Sequence, residues 1–208
     1  EKNKDLAHLA VIGMVGDLME KEISKAYEEI IRDAEVIVKK GLLLYPSTRP
    51  LDKALEYSSH PFIPGVTGSP EGVLELLREV NVSANGKTKS LIELDDEEMT
   101  RLVTAIMIRR ASKNHHDQIL GNIFLIKHLS KLEDAREISA KINATSRSGD
   151  PYSAILFCLE EQKSAKRVES LYVKHKQTLI YGLNELKEMN KIVGKNYVIF
   201  NAKDRIKD

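Results

Sequence analysis

The stretch that most informs the fold and function of this chain reads Ile142-Asn143-Ala144-Thr145-Ser146-Arg147-Ser148-Gly149-Asp150-Pro151. Its small polar residues and glycine favour a loop. Asp150 followed by Pro151 is typical of the N-cap and first residue of a helix. Such a junction presents backbone N–H groups, and Arg147 adds a planar charged group suited to phosphate. Two uses stay open: a phosphate site, or a capped turn whose helix end is occupied by the Asp150 carboxylate.

Composition limits the class of protein. The chain has 208 residues, 42% of them hydrophobic, and a formal net charge of +1. It can therefore form one or two domains with real cores, and it lacks a broad basic surface. The lone Cys158 lies in an apolar run, which predicts a small buried side chain and fits a reducing, cytoplasmic setting. No stretch is apolar enough to span a membrane, and we expect an internal fragment of a longer protein.

Hydrophobic spacing predicts a mostly helical chain with little β structure. Helices are expected before Asp17, over Ile23–Val38 closed by Gly41, over Pro50–Tyr57, Ser69–Val80, from Asp95 onward, and over Leu132–Lys141, Pro151–Leu159 and Ser164–Met189. The remaining expectations are a helical or mixed segment over Ile119–Leu129, a strand over Asn196–Asn201, and a hairpin turn at Asn85-Gly86 between Val80–Val82 and Ser90–Ile92.

Few residues qualify as metal ligands. Asp17 follows Gly13 and Gly16 at the end of an apolar helix. Its carboxylate could bind Mg²⁺ or Mn²⁺, although a capping or solvated role stays open. The run His115-His116-Asp117 is predicted to be a polar segment between helices, because adjacent side chains point apart and cannot easily share one ion.

Basic residues cluster twice on the long predicted helix. One cluster contains Lys163, Lys166 and Arg167, and the other is Lys174-His175-Lys176. They could flank a phosphate track, or they could form an ordinary solvated helix face. No aromatic residues are interleaved with them as in a stacking platform for single strands.

The order of the motifs resembles a known family. Gly13-Met14-Val15-Gly16-Asp17 resembles the last aspartate motif of the DHH phosphoesterase domain, and Ile142 to Gly149 resembles the I-N-A-x-x-R-x-G motif of RecJ-type nucleases. The segment His60 to Gly68 is similar to the archaeal branch. The chain is thus identified as an internal fragment of an archaeal RecJ-like, DHH-family single-strand exonuclease of the GINS-associated type. The family's D-x-D and D-H-H motifs are absent here.

The resemblance implies an activity and a set of site residues. The whole protein would hydrolyse phosphodiester bonds of single-stranded DNA or RNA with two divalent ions, Mn²⁺ or Mg²⁺. Asp17 would be one metal ligand, and Arg147, Asn143, Ser148 and Gly149 would form the phosphate site. Since most ligands would lie outside it, this fragment alone is expected to be inactive. A non-catalytic, GINS-binding replication scaffold of the same fold is the alternative.

The resemblance also implies a division into domains. The C-terminal part of an α/β DHH domain would comprise residues 1–50 and 132–162, and an inserted helical domain would comprise residues 51–131. A connector helix would follow over residues 163–195, and a truncated DHHA1 domain would begin at residues 196–208. The inserted domain would contact GINS and the replicative helicase. Its candidate docking residues are Asp95, Asp96, Glu97, Leu102 and Ile106, although a core role for the two apolar residues stays open.

Overall fold

The structure of the chain is a computed structural model. The structure describes residues 3–19, 25–58, 61–82, 88–111 and 119–202. The predicted turn at Asn85-Gly86 and the run His115-His116-Asp117 lie outside the described residues. The chain divides into two compact units, residues 1–139 and 140–208.

The first unit combines helices with a three-stranded antiparallel sheet in the order β1-β2-β3. Its elements are α1 (Ala7–Gly16), α2 (Lys25–Asp33), β1 (Ile37–Leu42), α3 (Leu51–Glu56), α4 (Pro70–Glu79), α5 (Asp96–Ala111), β2 (Leu120–His128), β3 (Lys131–Asp134) and the start of α6 (Ala135–Arg147). Gly41 of β1 pairs with Gly121 of β2, and Leu125 of β2 pairs with Asp134 of β3.

The main core of this unit lies among α3, α4, α5 and the central strand. Its largest fully buried side chains include Leu51, Leu55, Leu76, Leu102, Ile106, Ile123 and Leu125. Helix α4 begins as predicted, because the Ser69 side chain accepts a hydrogen bond from the Gly72 N–H at 3.1 Å and Pro70 takes the first helical position. Burial of apolar side chains on one face of each helix is the main stabilising contribution.

The strands correct several predictions. The predicted helix over residues 23–38 ends at Asp33, and Gly41 lies inside β1 instead of closing a helix. Residues 120–128 form β2, and Leu132 belongs to β3. The flanks of the predicted hairpin are the end of α4 and a short 3₁₀ turn over Leu91–Glu93, not strands. Apolar runs of this length fit a buried strand or a buried helix equally well, and cross-strand pairing decides between them.

A buried polar cluster fastens the loop after β1 to the β3–α6 junction. The fully buried Ser47 donates both its backbone N–H (3.1 Å) and its hydroxyl to Oδ2 of Asp134. The Arg136 N–H donates to Oδ1 at 2.9 Å. Arg49 Nε donates to Glu137 Oε1 at 3.0 Å. Burial raises the pKa of Asp134, and the bonds from Ser47 and Arg136 oppose that rise.

The second unit contains the rest of α6, α7 (Pro151–Cys158), α8 (Gln162–Glu188) and a two-stranded antiparallel sheet of β4 (Lys191–Val193) and β5 (Val198–Phe200). The long helix and the final strand were predicted, whereas β4 was not. Cys158 is half-buried, and burial raises the pKa of its thiol, which disfavours the thiolate form. The mostly helical class with minor β structure is confirmed. None of the described helices is long and apolar enough to cross a membrane.

Candidate functional site at the end of helix α6

The segment around Arg147 is the end of a helix and not a loop. Helix α6 continues to Arg147. Its loop-favouring residues make their hydrogen bonds inside the helix: the Thr145 hydroxyl donates to the Lys141 carbonyl at 2.8 Å, and the Ser148 hydroxyl donates to the Ala144 carbonyl at 2.8 Å. Because Ala144 and Thr145 are buried, packing outweighs the weak local preference for a turn.

Gly149 ends helix α6 in a left-handed conformation. Its φ is +81°, its N–H donates to the Ser146 carbonyl at 3.1 Å, and the Asp150 N–H donates to the Thr145 carbonyl at 3.2 Å. These two bonds define a Schellman motif, in which glycine avoids the steric cost of a positive φ. The motif satisfies terminal carbonyls of α6 and allows α7 to begin two residues later.

Asp150 occupies the start of α7. Its Oδ1 accepts from the Ser153 N–H at 3.1 Å, and its Oδ2 accepts from Arg167 Nε at 2.9 Å. The hydrogen bond from Arg167, followed by that from the Ser153 N–H, lowers the pKa of Asp150. A carboxylate therefore fills the helix end, so of the two uses that the sequence left open for this end the structure has the capped turn.

Arg147 keeps the geometry required of an anion-binding residue. Its side chain is exposed, and Nε donates to Asn143 Oδ1, one turn earlier, at 3.2 Å. This bond orients the guanidinium and leaves the terminal N–H groups for a bidentate contact with phosphate. Ser148 uses its hydroxyl proton within the helix, and Gly149 acts through its backbone conformation. The phosphate roles of these residues stay predictions.

Asp17 lies at the exposed end of helix α1. Its N–H donates to the Gly13 carbonyl at 3.0 Å, so it is the C-cap residue. The negative end of a helix dipole favours a cation at this position. A methyl group added to Gly16 would clash with the Ser139 hydroxyl, so the Ser139 side chain would have to move to admit it. Among the described residues, no three His, Cys, Asp or Glu side chains could hold a metal ion.

The candidate docking residues of α5 divide into two groups. Leu102 and Ile106 are fully buried in the core, so their predicted contact with a partner is corrected to a packing role. Asp95, Asp96 and Glu97 are exposed at the start of the helix. Asp95 accepts from the Glu98 N–H at 2.8 Å, which is a capping role, while Asp96 and Glu97 present an acidic surface.

Comparison with known proteins identifies the family of one segment. Residues 44–123, which include α3, α4 and α5, match the DHH-CID domain. In this segment the chain is similar to proteins of the DHH family. An uncharacterized protein of Methanocaldococcus jannaschii is 26% identical over 194 residues, covering 90% of this chain and 42% of that protein. The chain thus spans less than half the length of this curated relative.

Sequence reasoning missed the contacts between distant parts of the chain. The pair Asp150–Arg167 and the bond Ser47–Asp134 join residues 17 and 87 positions apart. Neither has a local motif, and only the fold brings the partners together. The contact between Asn143 and Arg147 has the i, i+4 spacing of neighbours on a helix, but it was missed as well, because this segment was predicted to be a loop.

Proposed function

We propose that this chain is part of a divalent-metal-dependent phosphoesterase that removes nucleotides from single-stranded DNA or RNA, of the RecJ-like, GINS-associated type. The DHH relationship supports hydrolysis of a phosphate ester. The observation that carries the proposal is the exposed guanidinium of Arg147, held by Asn143 beside a Schellman turn. In this role Arg147 binds a substrate phosphate, because its planar donors match two phosphate oxygens.

Asp17 is proposed as one metal ligand of the whole protein. Its exposed carboxylate and its place at a helix C-terminus suit Mn²⁺ or Mg²⁺. When bound, a pair of such ions would activate water and neutralise charge on the leaving oxygen. The other ligands would come from outside this chain, so the 208-residue chain alone would lack activity.

The first test separates a phosphate contact from a structural role. In the full-length protein, Arg147→Ala should lower kcat/KM on a single-stranded oligonucleotide by about 10²-fold, equivalent to about 2.7 kcal/mol. The activating concentration of Mn²⁺ should stay unchanged. Arg32→Ala is the matched control, because Arg32 is also an exposed arginine in the last turn of a helix. Equal loss of metal and substrate binding, or an equal effect of the control, would contradict this role.

The second test concerns Asp17. Asp17→Asn should abolish turnover in the full-length protein and raise the Mn²⁺ concentration needed for binding, while circular dichroism and the melting temperature stay close to the wild type. Asp5→Asn provides a control, since Asp5 is an exposed carboxylate just before the same helix. Wild-type turnover by Asp17→Asn would exclude Asp17 as a metal ligand.

A replication scaffold is the second candidate function. The observation that favours it is the exposed acidic start of α5 within the segment that matches the DHH-CID domain. This surface is proposed to contact GINS or the replicative helicase. Reversing Asp96 and Glu97 to Lys should weaken binding to purified GINS, whereas reversing Glu28 and Glu29 on α2 should not. A full-length wild-type protein that binds GINS but does not cleave single strands would favour the scaffold over the nuclease.

A further inference from the structure

Helix α8 presents a polar stripe along one exposed face. The residues recur every three or four positions, which places them on the same side of a helix. The α8 stripe consists of Lys163, Lys166, Ser170, Lys174, Gln177 and Tyr181. All six are exposed, and the side chain of Tyr181 is 60% exposed. The opposite face is used for packing, since Val168, Leu171 and Tyr172 are buried.

One acid, Glu169, lies among the lysines of the α8 stripe, and it is close to a lysine of another helix. Glu169, the only acid between Lys163 and Lys174, lies 3.4 Å from the ammonium of Lys141. Lys163, Lys166 and Lys174 form no ion pair among the described residues. Because the whole chain carries a net charge of only +1, the stripe is a local concentration of positive charge.

A shallow groove follows the middle of the stripe. Its volume is about 740 Å³, and it is lined by Lys166, Glu169, Ser170, Val173, Lys174 and Gln177. Two ammonium groups, a hydroxyl and an amide can donate to phosphate and sugar oxygens. Val173 adds an exposed apolar surface, and Tyr181 lies one turn beyond Gln177 with its ring available to a base. Base stacking on such a ring is independent of sequence.

This chemistry fits a nucleic-acid strand better than a membrane. A helix that binds a lipid surface needs its apolar face free for insertion, but the apolar side chains of Val168, Leu171 and Tyr172 in the first half of α8 are buried. A basic stripe that ends in an exposed tyrosine provides contacts for a charged backbone and for an unpaired base.

The start of the stripe is fastened to the turn beside Arg147. Arg167, adjacent to Lys166, donates to Asp150 at 2.9 Å, and Asp150 is three residues after Arg147. We propose that the α8 stripe binds the sugar–phosphate backbone of a single-stranded nucleic acid, with a base stacked on Tyr181, as an extension of the contact made by Arg147. This inference rests on the proposed function.

The test measures binding without cleavage. The full-length protein is titrated with a fluorescein-labelled oligothymidylate in EDTA, over a series of salt concentrations. Lys166→Gln combined with Lys174→Gln should lower affinity by tenfold or more at low salt and reduce the slope of log K against log salt by about 1.4. Tyr181→Leu should lower affinity about fivefold or more with the slope unchanged. Lys127→Gln with Lys131→Gln, both exposed on the sheet, is the control for charge.

Each outcome has a definite meaning. If the wild type binds the strand and the Lys166/Lys174 variant matches the Lys127/Lys131 control, the stripe is not a binding surface, while the proposed function stands. If the wild type binds no single strand even at low salt, the proposed function fails as well. Tighter binding to phosphatidylserine vesicles or to polyglutamate than to the oligonucleotide would overturn the assignment to nucleic acid.

Discussion

At the scale of single residues, two glycines show how backbone conformation decides the effect of a side chain. Gly149 and Gly13 both face open space, because a Cβ at either would contact nothing within 4 Å. They differ in backbone conformation, since Gly149 has a φ of +81° and Gly13 lies inside helix α1. The same substitution is therefore expected to have opposite effects at the two positions.

Gly149→Ala should destabilise the protein by about 1 kcal/mol, because L residues pay that cost in the left-handed region. Gly13→Ala should stabilise it by about 0.4–1 kcal/mol, because alanine loses less backbone entropy in a helix. Urea denaturation of both variants measures the sign of each change in the free energy of unfolding. The stability of Gly149→Asn should lie between that of Gly149→Ala and that of the wild type, since asparagine tolerates the left-handed conformation. Equal signs for the two alanine variants would contradict the assigned Schellman motif.

At the same scale, residue types predicted a loop where the structure has the end of a helix. Asn143, Arg147, Gly149 and Asp150 were all recognisable by residue type. Residue types alone could not show that Asn143 and Arg147 lie on the last turn of a helix, because asparagine, serine and threonine favour turns when they are exposed. The burial of Ala144 and Thr145 is a property of the fold, and it extends the helix through this segment.

At the scale of elements, Asp150 connects three helices. Its backbone closes α6, its Oδ1 caps α7 and its Oδ2 binds Arg167 of α8. The pKa of Asp150 is lowered in the folded state. Above the pKa of Asp150 in the unfolded chain, which is about 3.9, its carboxylate contributes fully to the stability of the folded state. This contribution is lost as the pH falls through the lower pKa of the folded state.

This linkage predicts a pH dependence. Asp150→Asn should melt at a lower temperature than the wild type at neutral pH, and the difference should shrink as the pH falls below about 4. Arg167→Gln removes the largest cause of the lowered pKa, so in that variant the acid-induced loss of stability should be smaller and should be complete at a higher pH. Melting temperatures measured from pH 7 to pH 3 test both expectations, and a difference that stays constant over this range would contradict them.

A second prediction concerns the loop that joins β1 to α3. Ser47→Ala removes a hydroxyl donor from the buried Asp134 carboxylate and should cost about 1–3 kcal/mol at neutral pH. Burial raises the pKa of Asp134, so its carboxyl contributes fully to the stability of the folded state only at low pH. That contribution decreases as the pH rises through the raised pKa of the folded state. The cost of Ser47→Ala should therefore be smaller in acid. Thr48→Ala is the control in the same loop, and a pH-independent cost would contradict the prediction.

The elements themselves were predictable where their patterns are local. This applies to the cap at Ser69, the acidic start of α5 and the length of α8, which were predictable because capping, the helix dipole and hydrophobic periodicity act within a few residues. The strands were not, because the pairing of Gly41 with Gly121 joins segments that are 80 positions apart. In the hairpin β4–β5 only the second strand was predicted, because the three residues of β4 follow directly on the long helix α8 and are too few to show an alternating pattern.

At the scale of the whole molecule, the two units differ in how completely they cover apolar surface. The first has a continuous core, whereas the β4–β5 hairpin of the second leaves large apolar side chains in solvent. These are Ile192, Val193, Tyr197, Val198, Ile199 and Phe200, with exposures of 43–67%. A contiguous exposed apolar patch on paired strands promotes association between chains.

The 208-residue chain is therefore expected to self-associate through this hairpin as its concentration rises. Ile192 and Ile199 are cross-strand partners on one face of the hairpin, so replacing both with Thr keeps β-forming residues while removing apolar surface. Sedimentation velocity over a concentration series should show less association for this double variant. Met107→Thr with Ile108→Thr removes comparable exposed apolar surface from α5. An equal reduction by this control would show that association depends on general hydrophobicity and not on the hairpin, and no change in either variant would exclude the hairpin as the contact.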